Sequence, residues 1–171
     1  MKNEPKVSVL LPTYNGARFI TKAIDSVLKQ SFEDLELIVL DDGSSDYTAD
    51  IVKEFILKDK RIVFVQNKEN LGIQKTLNKG LGTAKGEYIA RIDDDDAWAD
   101  SGKLYEQVKF LDEHPDYVLV GTGVIMVDEE RNELFKFLQP TDAKSIRDRM
   151  LFKSGFMHSS VLFSKDAIVQ V

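Results

Sequence analysis

Residues 35–46 read LELIVLDDGSSD: six residues, five of them large aliphatics, followed by five polar residues and one glycine. A near-continuous apolar run of this length fits a strand covered on both faces, as in a parallel sheet, and not the alternation of a half-exposed strand. The abrupt change at Asp41 marks a turn and a helix cap. Working outward, residues 6–11 (KVSVLL) form a second such run, ended by Pro12. Residues 61–65 and 88–92 read as two more strands. Between the runs, apolar residues recur at helical spacing. Phe19, Ile20, Ala23, Ile24, Val27 and Leu28 place a helix over 17–30. Ile51, Val52, Phe55 and Ile56 mark a second, and Ile73, Leu77, Leu81 and Ala84 a third, closed by Gly86.

Strands and helices therefore alternate over roughly the first 95 residues, which is the signature of an α/β fold with a parallel sheet. Right-handed crossovers make it doubly wound and Rossmann-like, with helices on both faces. Beyond residue 100 the texture changes. A helix is predicted over 103–113, stopped near Pro115. Strands over 117–127 and 134–138 flank a polar turn at 128–133, a small antiparallel addition near the C-terminus. A helix over 143–152 and a short strand over 160–164 follow. Residues 164–166 look like a helix start shortly before the sequence ends, which reads as a piece of a longer protein.

The composition fits one soluble domain over 1–171: 43% hydrophobic and 30% charged in 171 residues. A net charge of −6 argues against a nucleic-acid partner. Without cysteine there is no disulfide, thiolate metal site or cysteine nucleophile. The polar N-terminus is no secretory leader. No apolar stretch reaches the roughly 20 residues of a membrane span. The default compartment is the cytoplasm, with a peripheral place at the inner face of the membrane.

Ligands of open α/β sheets bind beyond the carboxyl ends of the strands. Here those ends carry Pro12, Thr13, Tyr14 and Asn15 on the first strand, Asp41 and Asp42 on the second, and Asp93 to Asp96 on the fourth. Adjacent carboxylates repel unless a cation neutralises them. Oxygen ligands without His or Cys suit Mg²⁺ or Mn²⁺, which uses one or two carboxylates plus substrate phosphates. An EF-hand is excluded, since position six from Asp93 is Trp98 and position twelve is Leu104. An acidic residue ending the second strand suits a ribose or base contact, which favours Asp42; helix capping is its bland alternative, and Asp41 closes the turn. Tyr14 offers a flat face for a base. Neither G-x-G-x-x-G nor a P-loop follows the first strand, which argues against nicotinamide, flavin and NTPase readings.

Five segments, VSVLLPTYNGARFI (7–20), LELIVLDDGSSD (35–46), NLGIQKTLNKGL (70–81), AKGEYIARIDDDD (84–96) and HSSVLF (158–163), resemble family 2 glycosyltransferases of the GT-A fold, in order and over nearly the whole chain. The resemblance implies an inverting transferase that moves a sugar from a nucleotide-diphosphate donor, by expectation a UDP-sugar, to an acceptor hydroxyl of a saccharide or lipid-linked saccharide in cell-surface polysaccharide or glycoconjugate synthesis. It puts Pro12, Tyr14 and Asn15 around the nucleobase and Asp42 on the base. Within a D-x-D motif, Asp94 lies near the ribose, and Asp95, with Asp93, holds the metal. Lys75 and Arg91 are phosphate or donor contacts. His158 is either a site-edge residue or a structural histidine.

On the same resemblance, residues 1–100 are the nucleotide-sugar half and 101–171 begin an acceptor half. The acceptor-activating base is expected beyond Val171, so this chain alone transfers little; if it lies inside, Asp128 and Glu129 are the first candidates. The stretch 97–103 (AWADSGK) departs from the family pattern by lacking a proline. Apolar surface around Phe152, Phe156 and Val161 is expected to favour a homodimer. Two rival readings stand beside this one. A sugar nucleotidyltransferase would need a Gly-rich, Arg-bearing loop where PTYNGA stands. A nucleotide-sugar-binding module without transfer activity has no such requirement.

Overall fold

The computed structural model describes residues 4–138, 140–150, 152 and 154–168. Strands β1 (Val7–Thr13) and β2 (Leu35–Asp41) are buried along their whole length, as their apolar runs require. Strands β3 (Ile62–Gln66) and β4 (Tyr88–Arg91) flank them in parallel, giving the order β3-β2-β1-β4. The connections are helices α1 (Ile20–Leu28), α2 (Thr48–Lys58) and α3 (Ile73–Thr83). Helix α4 (Lys103–Glu113) follows β4.

Alternate side chains of the sheet build two cores. Val9, Leu11, Leu37, Val39, Ala90 and Ile92 pack with Ile24 of α1, Val52 of α2 and Leu104 of α4 on one face. Leu10, Ile38, Leu40 and Ile89 pack with Leu77 and Leu81 of α3 on the other. Helices thus cover both faces. Gly80 lets α3 lie close to the sheet, since a Cβ there would collide with the Leu40 side chain.

Pro12 does not end the first strand. Strand β1 runs on to Thr13, and Pro12 sits opposite Leu40. The ladder explains why a proline is tolerated in a central strand. The Leu10 carbonyl accepts from the Ile92 N–H on the β4 side, and the Thr13 carbonyl accepts from the Asp42 N–H on the β2 side. Pro12 shares the parity of Leu10, so its missing N–H falls on the β4 flank. Pairing there has already stopped at Leu10 opposite Arg91.

The second half differs more from its sequence pattern. The run over 117–127 splits at Gly121 to Gly123 into β5 (Leu119–Val120) and β6 (Val124–Val127). Among the described residues, strand β6 pairs with β7 (Glu133–Phe137) alone, an antiparallel ribbon separate from the main sheet. Helix α5 is Ala143–Met150, and Phe152, the predicted last residue of 143–152, is in a turn; residue 151 lies outside the described ones. Residues 158–160 form a 3-10 turn before β8 (Leu162–Ser164). Strand β8 inserts antiparallel between β4 and β5 and completes a six-stranded mixed sheet. The predicted helix start is a 3-10 turn, Lys165–Ala167; residues 169–171 lie outside the described ones. Val161 is buried beside β8 while Phe152 is exposed, so these residues do not form the continuous apolar patch expected of them. Among the described residues no helix is long and apolar enough to cross a membrane.

Candidate active site

The carboxyl ends of β1, β2 and β4 open into one cleft of about 390 Å³. Its walls include Pro12, Thr13 and Tyr14 from β1 and the loop after it, and Asp42 after β2. Arg91, Asp93, Asp94 and Asp95 line it from β4, and Gly72, Ile73 and Thr76 from the start of α3. Four carboxylates thus face one guanidinium. Of the residues expected to contact donor or metal, Lys75 and Asn15 lie outside this lining, and so does His158. Lys75 is exposed on α3, one residue before Thr76. Asn15, in the left-handed region at φ 55°, accepts from the Ser45 N–H at 2.9 Å and donates its own N–H to Ser44 Oγ at 2.9 Å. It therefore ties the β1 end to the β2 end.

The paired aspartates after β2 divide their work. Asp41 accepts from the Ser44 N–H at 2.9 Å and from Gln66 Nε2 at 2.8 Å, closing the turn. Asp46 accepts from the N–H and hydroxyl of Thr48 and so supplies the cap at the start of α2. Asp42 is buried yet lines the cleft. Its Oδ1 accepts from Asn67 Nδ2, the Thr76 hydroxyl and the Leu71 N–H at 2.7–2.9 Å, and its Oδ2 from the Gly72 N–H at 2.9 Å. Burial alone would raise its pKa. The donors outweigh burial and hold the carboxyl below its ordinary range. Oδ2, with one donor against three on Oδ1, keeps lone-pair capacity.

The acidic run after β4 is a β-turn: the Asp96 N–H donates to the Asp93 carbonyl at 3.1 Å, leaving Asp94 and Asp95 at its centre. The corner residues are tied back. Asp93 Oδ1 pairs with Arg91 at 2.8 Å, and its Oδ2 lies 3.8 Å from Nδ1 of the exposed His158. Asp96 accepts from the Ser159 hydroxyl. Asp94 accepts from the Thr13 hydroxyl. Burial, reinforced by Asp95 and Asp93, raises the Asp94 carboxyl above its usual range despite that bond. Asp95 is exposed, and among the described residues its carboxylate has no hydrogen-bond or ion-pair partner. Gly16 leaves room for this arrangement, because a Cβ there would run into Asp94 Oδ2 and Thr13 Oγ1.

No group of three or more His, Asp or Glu is gathered to hold a metal among the described residues. A divalent ion seated here would take Asp95 and complete its shell with diphosphate oxygens and water, the mode Mg²⁺ favours. The sequence placed Thr13 at the strand end without a role and did not single out Thr76; they orient Asp94 and Asp42. Asp128 bonds to Asn132, and Glu129 pairs with Arg18 at 3.6 Å; neither lines the cleft.

A mainly parallel, Rossmann-like sheet with helices on both faces and a small antiparallel ribbon is the GT-A architecture, here with an acidic turn and a second-strand aspartate at one cleft. The chain belongs to glycosyl transferase family 2, whose model matches residues 8–168. It is 42% identical over 130 residues to the putative glycosyltransferase EpsE of Bacillus subtilis, covering 75% of this chain and 46% of that one. Its fold matches S. aureus TarS 1-349 in complex with UDP-GlcNAc, with a TM-score of 0.74 at 25% identity over 96% of this chain and 47% of that one. It also matches the fold of the mannosyltransferase PcManGT from Pyrobaculum calidifontis in complex with GDP-Man and Mn²⁺, with a TM-score of 0.74 at 22% identity, covering 99% and 47%. The chain spans about half the length of these proteins.

Proposed function

We propose that this chain is the donor-binding part of a metal-dependent glycosyltransferase that takes a nucleotide-diphosphate sugar, by preference a UDP-sugar. The observation that carries this reading is the unpaired Asp95 carboxylate at the centre of a turn, in the same cleft as Tyr14 and Asp42. An anionic diphosphate entering a cleft of four carboxylates and one guanidinium is repelled unless a cation accompanies it. The UDP-GlcNAc complex of TarS, a neighbour in fold, supports the choice of base.

On this reading residues 1–100 form the donor half and 101–171 begin the acceptor half. Tyr14, 51% exposed at the mouth, stacks on the base. Asp42 Oδ2 accepts a base N–H. Asp94, already oriented by Thr13, accepts a ribose hydroxyl. Asp95 anchors the ion that, when bound, neutralises the charge developing on the leaving diphosphate. The acceptor oxygen attacks the anomeric carbon as the bond to the diphosphate breaks, which inverts the centre. The base that takes the acceptor proton belongs, in this proposal, to the part of the family fold this chain does not span.

Calorimetry with UDP in Mn²⁺ and in EDTA tests the reading. UDP should bind at least tenfold more tightly with Mn²⁺, and Asp95→Asn should abolish that gain without lowering thermal stability, since it breaks no hydrogen bond or ion pair and relieves repulsion on Asp94. Equal affinity in Mn²⁺ and EDTA contradicts the proposal.

A further inference from the structure

The acidic turn does not stand on its own. Ser159, from the 3-10 turn before β8, reaches it at both corners. Its hydroxyl oxygen accepts the Asp93 N–H at 2.9 Å, and the same hydroxyl donates to Asp96 Oδ2 at 2.5 Å. Its carbonyl accepts the indole N–H of Trp98 at 2.8 Å, and Trp98 is buried two residues past the turn. One serine, more than 60 residues away in sequence, therefore holds the turn's first residue, its last residue and the residue that anchors its exit. Arg91 pairs with the Asp93 side chain, and His158 lies 3.8 Å from it. The two central residues are left to project. Asp94 is steadied by Thr13, and Asp95 is steadied only through the backbone that Ser159 fixes.

We infer that Ser159 is a positioning residue for the metal-bearing turn: it sets where Asp95 presents its carboxylate and touches neither nucleotide nor ion. The inference rests on the donor-binding reading above and extends it to a residue outside the cleft lining. A carboxylate held by an ordered backbone binds a cation with its ordering entropy already spent, whereas a mobile turn must be ordered at the moment of binding. The hydroxyl is well suited to this role, because it can accept from a backbone N–H and donate to a carboxylate at once. Alanine removes both bonds, while threonine keeps the hydroxyl.

The test is calorimetry of the 171-residue chain with UDP, in Mn²⁺ and in EDTA, for wild type, Ser159→Ala, Ser159→Thr and Asp96→Ala. Asp96→Ala cuts the same clamp from its exposed end and serves if Ser159→Ala folds poorly. Ser159→Ala and Asp96→Ala are each expected to lose about tenfold or more of the Mn²⁺-dependent gain, the usual cost of removing a group that orients a metal ligand. Affinity in EDTA should stay within about twofold, and Ser159→Thr should restore most of the gain. A full Mn²⁺ gain in both alanine variants overturns the inference. So do equal losses in Mn²⁺ and EDTA, which mark a merely structural serine. A wild type with no Mn²⁺ gain removes the donor-binding reading itself, and that outcome is separate from a normal wild type with indifferent variants.

Discussion

The Thr13 hydroxyl donates to Asp94 Oδ2 at 2.5 Å and joins the end of β1 to the turn after β4, 81 residues later. Without this bond the two strand ends would be linked only by the sheet beneath them. With it, a half-buried carboxylate is held among like charges, and its pKa is raised by burial first and by Asp95 and Asp93 after that.

A carboxyl with a raised folded pKa destabilises the protein wherever it is forced to ionise. Asp94→Asn keeps an acceptor for Thr13 and removes the charge. It should therefore stabilise the metal-free chain at pH 7 by about 0.5–1 kcal/mol, or roughly 1–4 °C in Tm for a chain of this size. The benefit should vanish as the pH falls through the raised pKa, where Asp94 itself is neutral. Scanning calorimetry at pH 7 and pH 4 measures both, and a lower Tm for the variant at pH 7 would refute the account.

Asp42 has the opposite sign. Its folded pKa lies below the ordinary value, so the stability it contributes is present above about pH 4 and is lost as the pH falls through the lower folded value. Asp42→Ala leaves the Thr76 hydroxyl and the Leu71 N–H without their acceptor, and takes one of two acceptors from Asn67 Nδ2 and from the Gly72 N–H, which keep Thr76 Oγ1 and Asn70 Oδ1. The expected loss at pH 7 is about 2–4 kcal/mol in urea denaturation, shrinking at pH 3. UDP binding should weaken in Mn²⁺ and EDTA alike, which separates this residue from Asp95.

Lys103 is buried at the start of α4, with Nζ 2.7 Å from Gln107 Oε1 and 4.1 Å from the Trp98 ring centroid. Burial lowers its pKa to about 7. Between that value and the ordinary lysine range the unfolded chain holds a proton that the folded one has released, so stability should rise with pH over this window by about 1 kcal/mol per unit. Lys103→Met should flatten the slope. Urea midpoints from pH 7 to 10 decide it: parallel curves for the two proteins would show that Lys103 keeps its proton when folded.

The first half of the fold is legible in the sequence because its strands are covered on both faces. A run such as LELIVL then needs no alternation to declare itself, and the polar residues closing each run mark the sheet's carboxyl edge. The second half is not legible in this way. Strand β8 is three residues long, and its partners lie far away in sequence, so nothing local says that it enters the sheet antiparallel beside β4. The same holds inside the site. That Asp41 closes a turn could be read from its neighbours, but the donors that hold Asp42 come from 67–76. The separate fates of Asp93, Asp94, Asp95 and Asp96 follow from turn geometry that four identical letters cannot encode. Ser159 stood beside His158 in a quoted segment, and only its contacts reveal what it does.

The proline in β1 carries one more consequence. Where β4 stops pairing, the upper flank of β1 is a short stretch of unpaired backbone inside an open cleft, the kind of edge that invites a foreign strand. An ordinary residue at position 12 would offer an N–H there, ready to extend the ladder with whatever peptide entered. Pro12 offers none. The mouth of the cleft is thus chemically blunted against β-augmentation at position 12.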